Sequence, residues 1–182
     1  NLKKYSFSSI FTEAFRDNLG WEKAWAKPKP KKEYEVIIVG GGGHGLATAY
    51  YLAKNYNVTD IAVIEKGWIG GGNTGRNTTI IRSNYLQESS IGIYEKSRFL
   101  YETLSQDLNY NIMFSPRGVL MLCQTEHELR AMKRTSHANR LNGVDTKMVT
   151  PHEVKEIVPI INIEGPRFPV LGALWQPRGG TA

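Results

Sequence analysis

An α/β fold is expected from three features between Tyr34 and Glu65. Val36 to Val39 is a short β-branched run. Gly40-x-Gly42-x-x-Gly45 follows it. Leu46, Ala47, Ala49, Tyr50, Leu52 and Ala53 then lead to a second apolar run, Ile61 to Ile64. The order reads strand, glycine turn, helix, strand. The first run is uninterrupted, the pattern of a strand buried on both faces. Gly40 permits a tight turn, Gly42 lets backbone approach a group that a Cβ would push away, and Gly45 lets the helix pack close on the strand. Amides at the helix start, with the positive end of its dipole, suit a phosphate. Glu65 lies about 20 residues beyond Gly45, where a dinucleotide site needs a carboxylate for the ribose hydroxyls. The expected architecture is a Rossmann-like βαβ unit, followed by the start of an α+β region that is truncated.

The chain of 182 residues is 41% hydrophobic and 22% charged, ordinary for a globular protein. No apolar run approaches the roughly 20 residues of a membrane helix. Leu2 to Trp25 mixes Lys, Arg, Asp and Glu into its apolar positions, unlike a signal peptide. The single cysteine, Cys123, excludes an internal disulfide and fits a reducing compartment, so a cytoplasmic location is expected. Inside the apolar run Val119 to Cys123, that thiol reads as a small buried hydrophobe rather than a nucleophile.

The net charge of +6 is concentrated at the start. Residues 1–32 hold Lys3, Lys4, Arg16, Lys23, Lys27, Lys29, Lys31 and Lys32 against Glu13, Asp17 and Glu22, a net +5, which leaves +1 for the rest. The body is nearly neutral, which argues against nucleic acid as a partner. Such an arm binds a partner subunit or an acidic surface, or is a solvated leader. Within it Ile10, Ala14, Phe15 and Leu19 could line one face of a short helix stopped at Gly20. Trp21 and Trp25 suggest docking, and Lys27 to Lys32 reads as an extended linker.

After Glu65 a second glycine-rich loop runs from Lys66 to Arg82. An ordered loop of this length usually wraps a ligand, and Arg76 and Arg82 offer planar donors for phosphate or carboxylate. Glu88 to Leu108 carries Ile93, Leu100, Leu104 and Leu108 at helical spacing, a stripe expected to be core. Asn111 to Phe114 and Val119 to Cys123 read as two strands joined by the turn Ser115-Pro116-Arg117-Gly118. Thr125-x-x-Glu128 opens a helix to about Leu141. Thr150-Pro151-x-Glu153 opens another, with Val154, Ile157 and Val158 inward and Pro159 closing it. A further strand is expected between Pro169 and Trp175. His127, His137 and His152 are scattered without metal-ligand spacing, and no G-x-S-x-G elbow occurs. Arg130, Lys133, Arg134 and Arg140 make the 125–141 helix basic, but a solvated face explains that better than RNA.

The fingerprint alone does not separate NAD from FAD. A nicotinamide dehydrogenase would continue its alternating strands and helices. Here an arginine-bearing loop, a long helix and a paired-strand region intervene, which suits a flavin domain interrupted by a substrate domain. The expected organisation is a basic arm and linker (1–32), the N-terminal part of an FAD-binding domain (33–108) and the beginning of a substrate-binding domain (109–182).

Several runs carry a family resemblance: GGGGHGLATAYYLAKN, EKGW, GGGNTGRNTTIIRSNY, FSPRGVLML, ANRLNGVD and the leader Gly20-Trp21-Glu22-Lys23-Ala24-Trp25. They resemble the β subunits of heterotetrameric sarcosine oxidases and, more broadly, the flavin-dependent amine and amino-acid oxidases. The resemblance implies noncovalent FAD, its adenine-ribose end near Gly40, Gly42, Gly43, His44, Gly45, Glu65 and Lys66. Its pyrophosphate and ring would lie near Asn73, Arg76, Asn77, Thr78, Thr79 and Ile80. Ile80-Ile81-Arg82 matches a run that places an arginine on the substrate carboxylate in related monomeric enzymes, so Arg82 is the implied anchor for sarcosine. Tyr85 either lines the same pocket or is a core tyrosine.

The implied chemistry is oxidation of sarcosine to glycine and formaldehyde, or to methylene-tetrahydrofolate in a partner subunit. Oxygen is the final acceptor and hydrogen peroxide the product. The resemblance also implies FMN on a histidine just past Gly179-Gly180-Thr181-Ala182, and hence that this chain is an N-terminal piece of a longer subunit, inactive alone. Two other readings stand beside it: a flavin dehydrogenase for another secondary amine or amino acid (dimethylglycine, proline), and a nucleotide-binding assembly module without catalysis.

Overall fold

The computed structural model describes residues 6–21 and 29–182. Trp25, most of the leader and the first two linker residues lie outside the described residues. The chain forms two compact units, one ending at Thr78 and one beginning at Thr79.

The first unit holds α1 (Phe7–Ala14), β1 (Val36–Val39), α2 (Gly43–Tyr56), β2 (Ile61–Ile64) and a 3₁₀ turn at Asn73–Arg76. Ser6 caps α1 by accepting the Ser9 amide. The helix ends at Ala14, earlier than the expected stop at Gly20. Asp17 and Asn18 take left-handed backbone at φ 51° and 59°, which short polar side chains tolerate. The Glu13 carboxylate then turns back to accept the Gly20 amide at 2.7 Å, fixing the turn. At the described end of the linker, Lys31 pairs with Asp60.

Strands β1 and β2 are parallel, in register from Val36 opposite Ile61 to Val39 opposite Ile64. Helix α2 joins them, giving the expected βαβ unit. The expectation of burial on both faces of β1 is overturned: Ile37 and Val39 are 57% and 84% exposed, alternating with half-buried neighbours. A β-branched run reports a strand that can be covered on two sides. It does not report which elements supply the cover, and here one face is bare among the described residues.

The second unit contains β3 (Ile80–Ile81), α3 (Glu88–Leu108), β4 (Val119–Cys123), α4 (Glu126–Leu141), β5 (Lys147–Val149), α5 (Pro151–Ile157), β6 (Gly172–Gln176) and β7 (Gly180–Thr181). Both capping boxes form. Thr125 and Glu128 exchange side-chain to backbone bonds at α4, as do Thr150 and Glu153 at α5. Strands β4, β6 and β5 make an antiparallel sheet with β6 central. Val149, Val154, Val170 and Ala173 form its core, with Leu120, Ile161, Ile163 and Trp175 packed around them. Cys123 is fully buried, and burial pushes its thiol above the ordinary range, as fits a core residue.

The expected hairpin of Asn111–Phe114 with Val119–Cys123 does not form. Met113 has φ 57°, and the residues around it run without strand structure. Ser115 instead exchanges both backbone hydrogen bonds with Thr181, at 2.7 and 3.2 Å, while β4 pairs along its whole length with β6. No β-turn closes at Ser115–Gly118 either: the Gly118 amide donates to the Gly179 carbonyl rather than back to Ser115. The segment leads into β4, whose partner lies about fifty residues on, where local residue patterns carry no information.

Helix α3 also differs from expectation. Leu100, Leu104 and Leu108 are half-buried, but Ile93 is 72% exposed, and the helix's most deeply buried side chain is Arg98, at 1%. Its guanidinium bonds Glu95 and, at 2.6 Å, Glu102, which in turn bonds Arg178 at 2.9 Å. Glu95 holds the Ser83 hydroxyl, and Gln176 bonds both the amide and the hydroxyl of Ser83. The bond from Arg98 keeps Glu95 ionised below its ordinary 4.5. Burial opposes the Glu102 charge most strongly, yet Arg178 and Arg98 hold it low as well.

Among the described residues no helix is long and apolar enough to cross a membrane, and no group of His, Cys, Asp and Glu is arranged for a metal ion. Replacing Arg98 by Ala leaves Glu95 without its cation and Glu102 with Arg178 alone, and is expected to cost about 3–5 kcal/mol, with Arg98→Met, which restores bulk but not charge, nearly as costly; urea unfolding of the full-length protein checks this. Because both glutamates titrate below 4.5 when folded, their stabilisation is complete above pH 4.5 and lost as pH falls through the lowered values. Melting temperature should therefore drop with acidification below pH 4.5 in the wild type and respond less in Arg98→Met.

Candidate functional site

In the first unit the two glycine-rich loops are laced together by backbone groups. Gly40 continues the strand ladder to Ile64 and then turns with φ 108°, a conformation that favours glycine. A Cβ on Gly45 would sit 2.0 Å from the Gly40 carbonyl oxygen, so the start of α2 meets the end of β1 only because that position is bare. The Glu65 carboxylate accepts the Gly41 amide with one oxygen and the Gly67 amide with the other, each at 2.8 Å. The Gly70 amide donates to the Gly41 carbonyl at 2.9 Å, and the Gly43 amide donates to the Thr74 hydroxyl at 3.0 Å. Asn77 donates its side-chain amide to the Thr74 carbonyl.

This arrangement leaves donors facing outward. The first intrahelical bond of α2 runs from the Leu46 amide to the Gly42 carbonyl. The amides of Gly42, His44 and Gly45 precede it and have no acceptor among the described residues. The first turn carries no acidic side chain and the cap Gly42 has no side chain at all, so no residue of the helix itself neutralises its positive end. These features fit the diphosphate of a dinucleotide. The Glu65 carboxyl is held below its ordinary 4.5, first by the Gly67 amide and then by the Gly41 amide, and it retains lone pairs for hydroxyl donors. His44, Lys66, Asn73, Arg76, Asn77 and Thr78 are exposed around this cradle.

Thr79, Ile80 and Arg82 belong to the second unit. Thr79 takes φ 56° and its carbonyl accepts the Ala182 amide at 3.1 Å, while Ile80–Ile81 pairs with Gly180–Thr181. Arg82 is locked at one end. Its Nη1 donates to Asn84 Oδ1 at 2.7 Å and reaches Met121 Sδ at 3.7 Å, and the guanidinium lies 4.3 Å from the centre of the Tyr85 ring. Tyr85 stacks on Tyr94 at 4.2 Å, and its carbonyl accepts from the buried Asn139. Burial pushes the Tyr85 phenol above its ordinary range although the Arg82 charge opposes this. Nε and Nη2 of Arg82 have no partner among the described residues, so two adjacent donors remain for a carboxylate.

Sequence reasoning missed Thr74, the residue that ties the second loop to the helix start, and Asn84, Tyr94 and Met121, which set the arginine. Thr74 sits in a loop already suspected of wrapping a ligand, so a hydroxyl there was the available signal. Nothing in the sequence brings Met121 to Arg82.

A glycine-cradled βαβ unit with a carboxylate at the second strand's end defines a dinucleotide-binding protein, and comparison gives the class: the chain belongs to the FAD dependent oxidoreductase family, whose model matches residues 35–182. It is 66% identical over 181 residues to sarcosine oxidase subunit beta of Rhodobacter capsulatus, covering 100% of this chain and 44% of that protein. It is 59% identical to the Arthrobacter sarcosine oxidase subunit beta, over 88% of this chain and 40% of the other. The chain thus spans less than half the length of these relatives. Among solved structures it resembles the L-proline dehydrogenase of P. horikoshii, with TM-score 0.75 and 33% identity, over 84% of this chain and 39% of that one.

The glycine contacts predict a contrast between neighbours. Gly45→Ala forces a Cβ to within 2.0 Å of backbone oxygen, whereas at Gly43 the nearest atom would be 3.6 Å away. Thermal unfolding of the full-length protein should show a drop of several degrees for Gly45→Ala and little change for Gly43→Ala.

Proposed function

We propose that the full-length protein is a subunit of a hetero-oligomeric, FAD-dependent oxidase of sarcosine, acting in the cytoplasm. The observation that carries this reading is the laced pair of glycine loops with its outward amides. The 66% likeness to a sarcosine oxidase subunit beta supports the substrate. In this reading Gly40, Gly42, Gly43, His44 and Gly45 form the diphosphate cradle, and Glu65 and Lys66 meet the adenosine ribose. Asn73, Arg76, Asn77, Thr78, Thr79 and Ile80 line the remainder of the cofactor's path. Bound FAD supplies a hydride acceptor for the N-methyl group of the amine. The oxidised substrate is then an iminium, hydrolysed to glycine and formaldehyde or captured as methylene-tetrahydrofolate in a partner subunit. Oxygen is the terminal acceptor, giving hydrogen peroxide, and FMN on a histidine beyond Ala182 is the expected second flavin.

Arg82 anchors the substrate carboxylate through the pair of donors it leaves open. Asn84 and the Tyr85 ring hold the guanidinium, so little rotamer freedom is lost on binding and the anchor contributes mainly positioning. A second reading, a dehydrogenase for another secondary amine, is favoured by one observation, the likeness to the L-proline dehydrogenase of P. horikoshii. Both substrates carry a carboxylate beside a secondary amine, so Arg82 serves either. Adding sarcosine, dimethylglycine or proline anaerobically to the full-length enzyme and following loss of flavin absorbance separates them. Sarcosine should bleach the flavin fastest; bleaching by proline alone would select the second reading. A module without catalysis predicts bound flavin and no bleaching by any.

Glu65→Gln turns one acceptor into a donor against the Gly41 or Gly67 amide, so flavin-to-protein ratio after gel filtration should fall severalfold. Because the Glu65 carboxyl titrates below 4.5, wild-type retention should hold above that pH and decline as pH falls through the lowered value. Arg82→Ala should raise KM for sarcosine about 10- to 100-fold, the range of a lost charge-assisted pair. An uncharged N-methyl amine should be nearly unaffected, and equal effects on both would remove the carboxylate role.

A further inference from the structure

Helix α1 is amphipathic in the wrong sense for a helix that packs on its own chain. Phe7, Phe11 and Phe15 are 86%, 59% and 78% exposed, and Ile10 and Leu19 join them at 52% and 84%. The one buried side chain of the helix is Glu13, drawn in by the Gly20 amide. Phe11 and Phe15 meet edge to face with ring centres 5.0 Å apart, so the display is ordered rather than splayed. Three phenylalanines so exposed present on the order of 400 Å² of apolar surface, the upper end of what a monomer leaves open.

Two further observations say what covers it. The family model begins at residue 35, so the arm precedes the oxidoreductase fold; yet likeness to the Rhodobacter capsulatus subunit runs through 100% of this chain. The arm is therefore shared with that subunit and lies outside the residues that the oxidoreductase family model covers. It also holds a net +5 of the chain's +6. Resting on the hetero-oligomeric reading above, we propose that α1 is a docking helix. Its Phe7–Ile10–Phe11–Phe15 face enters an apolar groove on another subunit of the assembly, and acidic residues rim that groove and meet the lysines of the arm. The mode is helix-in-groove recognition, with anchors at i, i+3 or i+4 and i+8, and the charge sets orientation and encounter rate.

The test uses the full-length chain co-expressed with its companion subunits. Phe11→Asp with Phe15→Asp removes two anchors and should weaken assembly roughly tenfold or more in gel filtration, while the variant chain keeps its flavin. Wild-type assembly should also loosen as salt rises. Hydrogen exchange on the wild type needs no variant: amides of 7–14 should slow only when the companions are bound. Assembly of the double variant at wild-type strength, or amides already protected in the full-length chain alone, would overturn the proposal, the second because the chain then covers its own helix. A wild-type chain that joins no companion at all would defeat the hetero-oligomeric reading itself, and with it this one.

Discussion

The Glu65 carboxylate is shared between two backbone amides, Gly41 on one oxygen and Gly67 on the other. That sharing is what makes two glycine-rich loops into one surface. Glycine loops are entropically expensive to order. Here a single ionised side chain at the end of β2, with the Thr74 hydroxyl and the Gly70 amide, holds both in place. The outward amides of Gly42, His44 and Gly45 are preorganised as a consequence. A ligand that uses them does not have to order the loops as it binds.

The second unit solves a similar problem with charge. Within residues 80–85 the most deeply buried side chains are polar, Ser83 and Asn84. They are held by Gln176, Glu95 and Met121, with Arg98 balancing the acids from the middle of α3. Such a network is a poor source of net stability but a strict one for geometry, since each partner fixes the next. It explains why an arginine in this segment can keep one orientation with half its donors unspent.

What the sequence revealed and what it hid follow from the range of the interactions. The Gly40-x-Gly42-x-x-Gly45 turn, both capping boxes, the bounds of α3 and the β6 strand rest on residues within a few positions of one another, and all form. The hairpin before β4 failed because the strand's partner is β6, and because Ser115 pairs with Thr181. Burial of Ile37, Val39 and Ile93 was misjudged because composition records that a side chain can be covered, not what covers it. At the site, the cradle glycines were readable from their spacing. Thr74, Asn84, Tyr94 and Met121 were not, since their importance arises only from where the fold carries them.

The central claim is that bare backbone amides grip the diphosphate of the cofactor. Titrating flavin-free full-length protein with FAD and with riboflavin, by quenching of flavin fluorescence, tests it without reference to turnover. The two ligands share the ring and differ in the diphosphate and adenosine. FAD should bind at least about a hundredfold more tightly, the factor that a few charge-assisted hydrogen bonds provide. Equal affinities would mean that the protein holds the ring alone and that the glycine loops serve some other end.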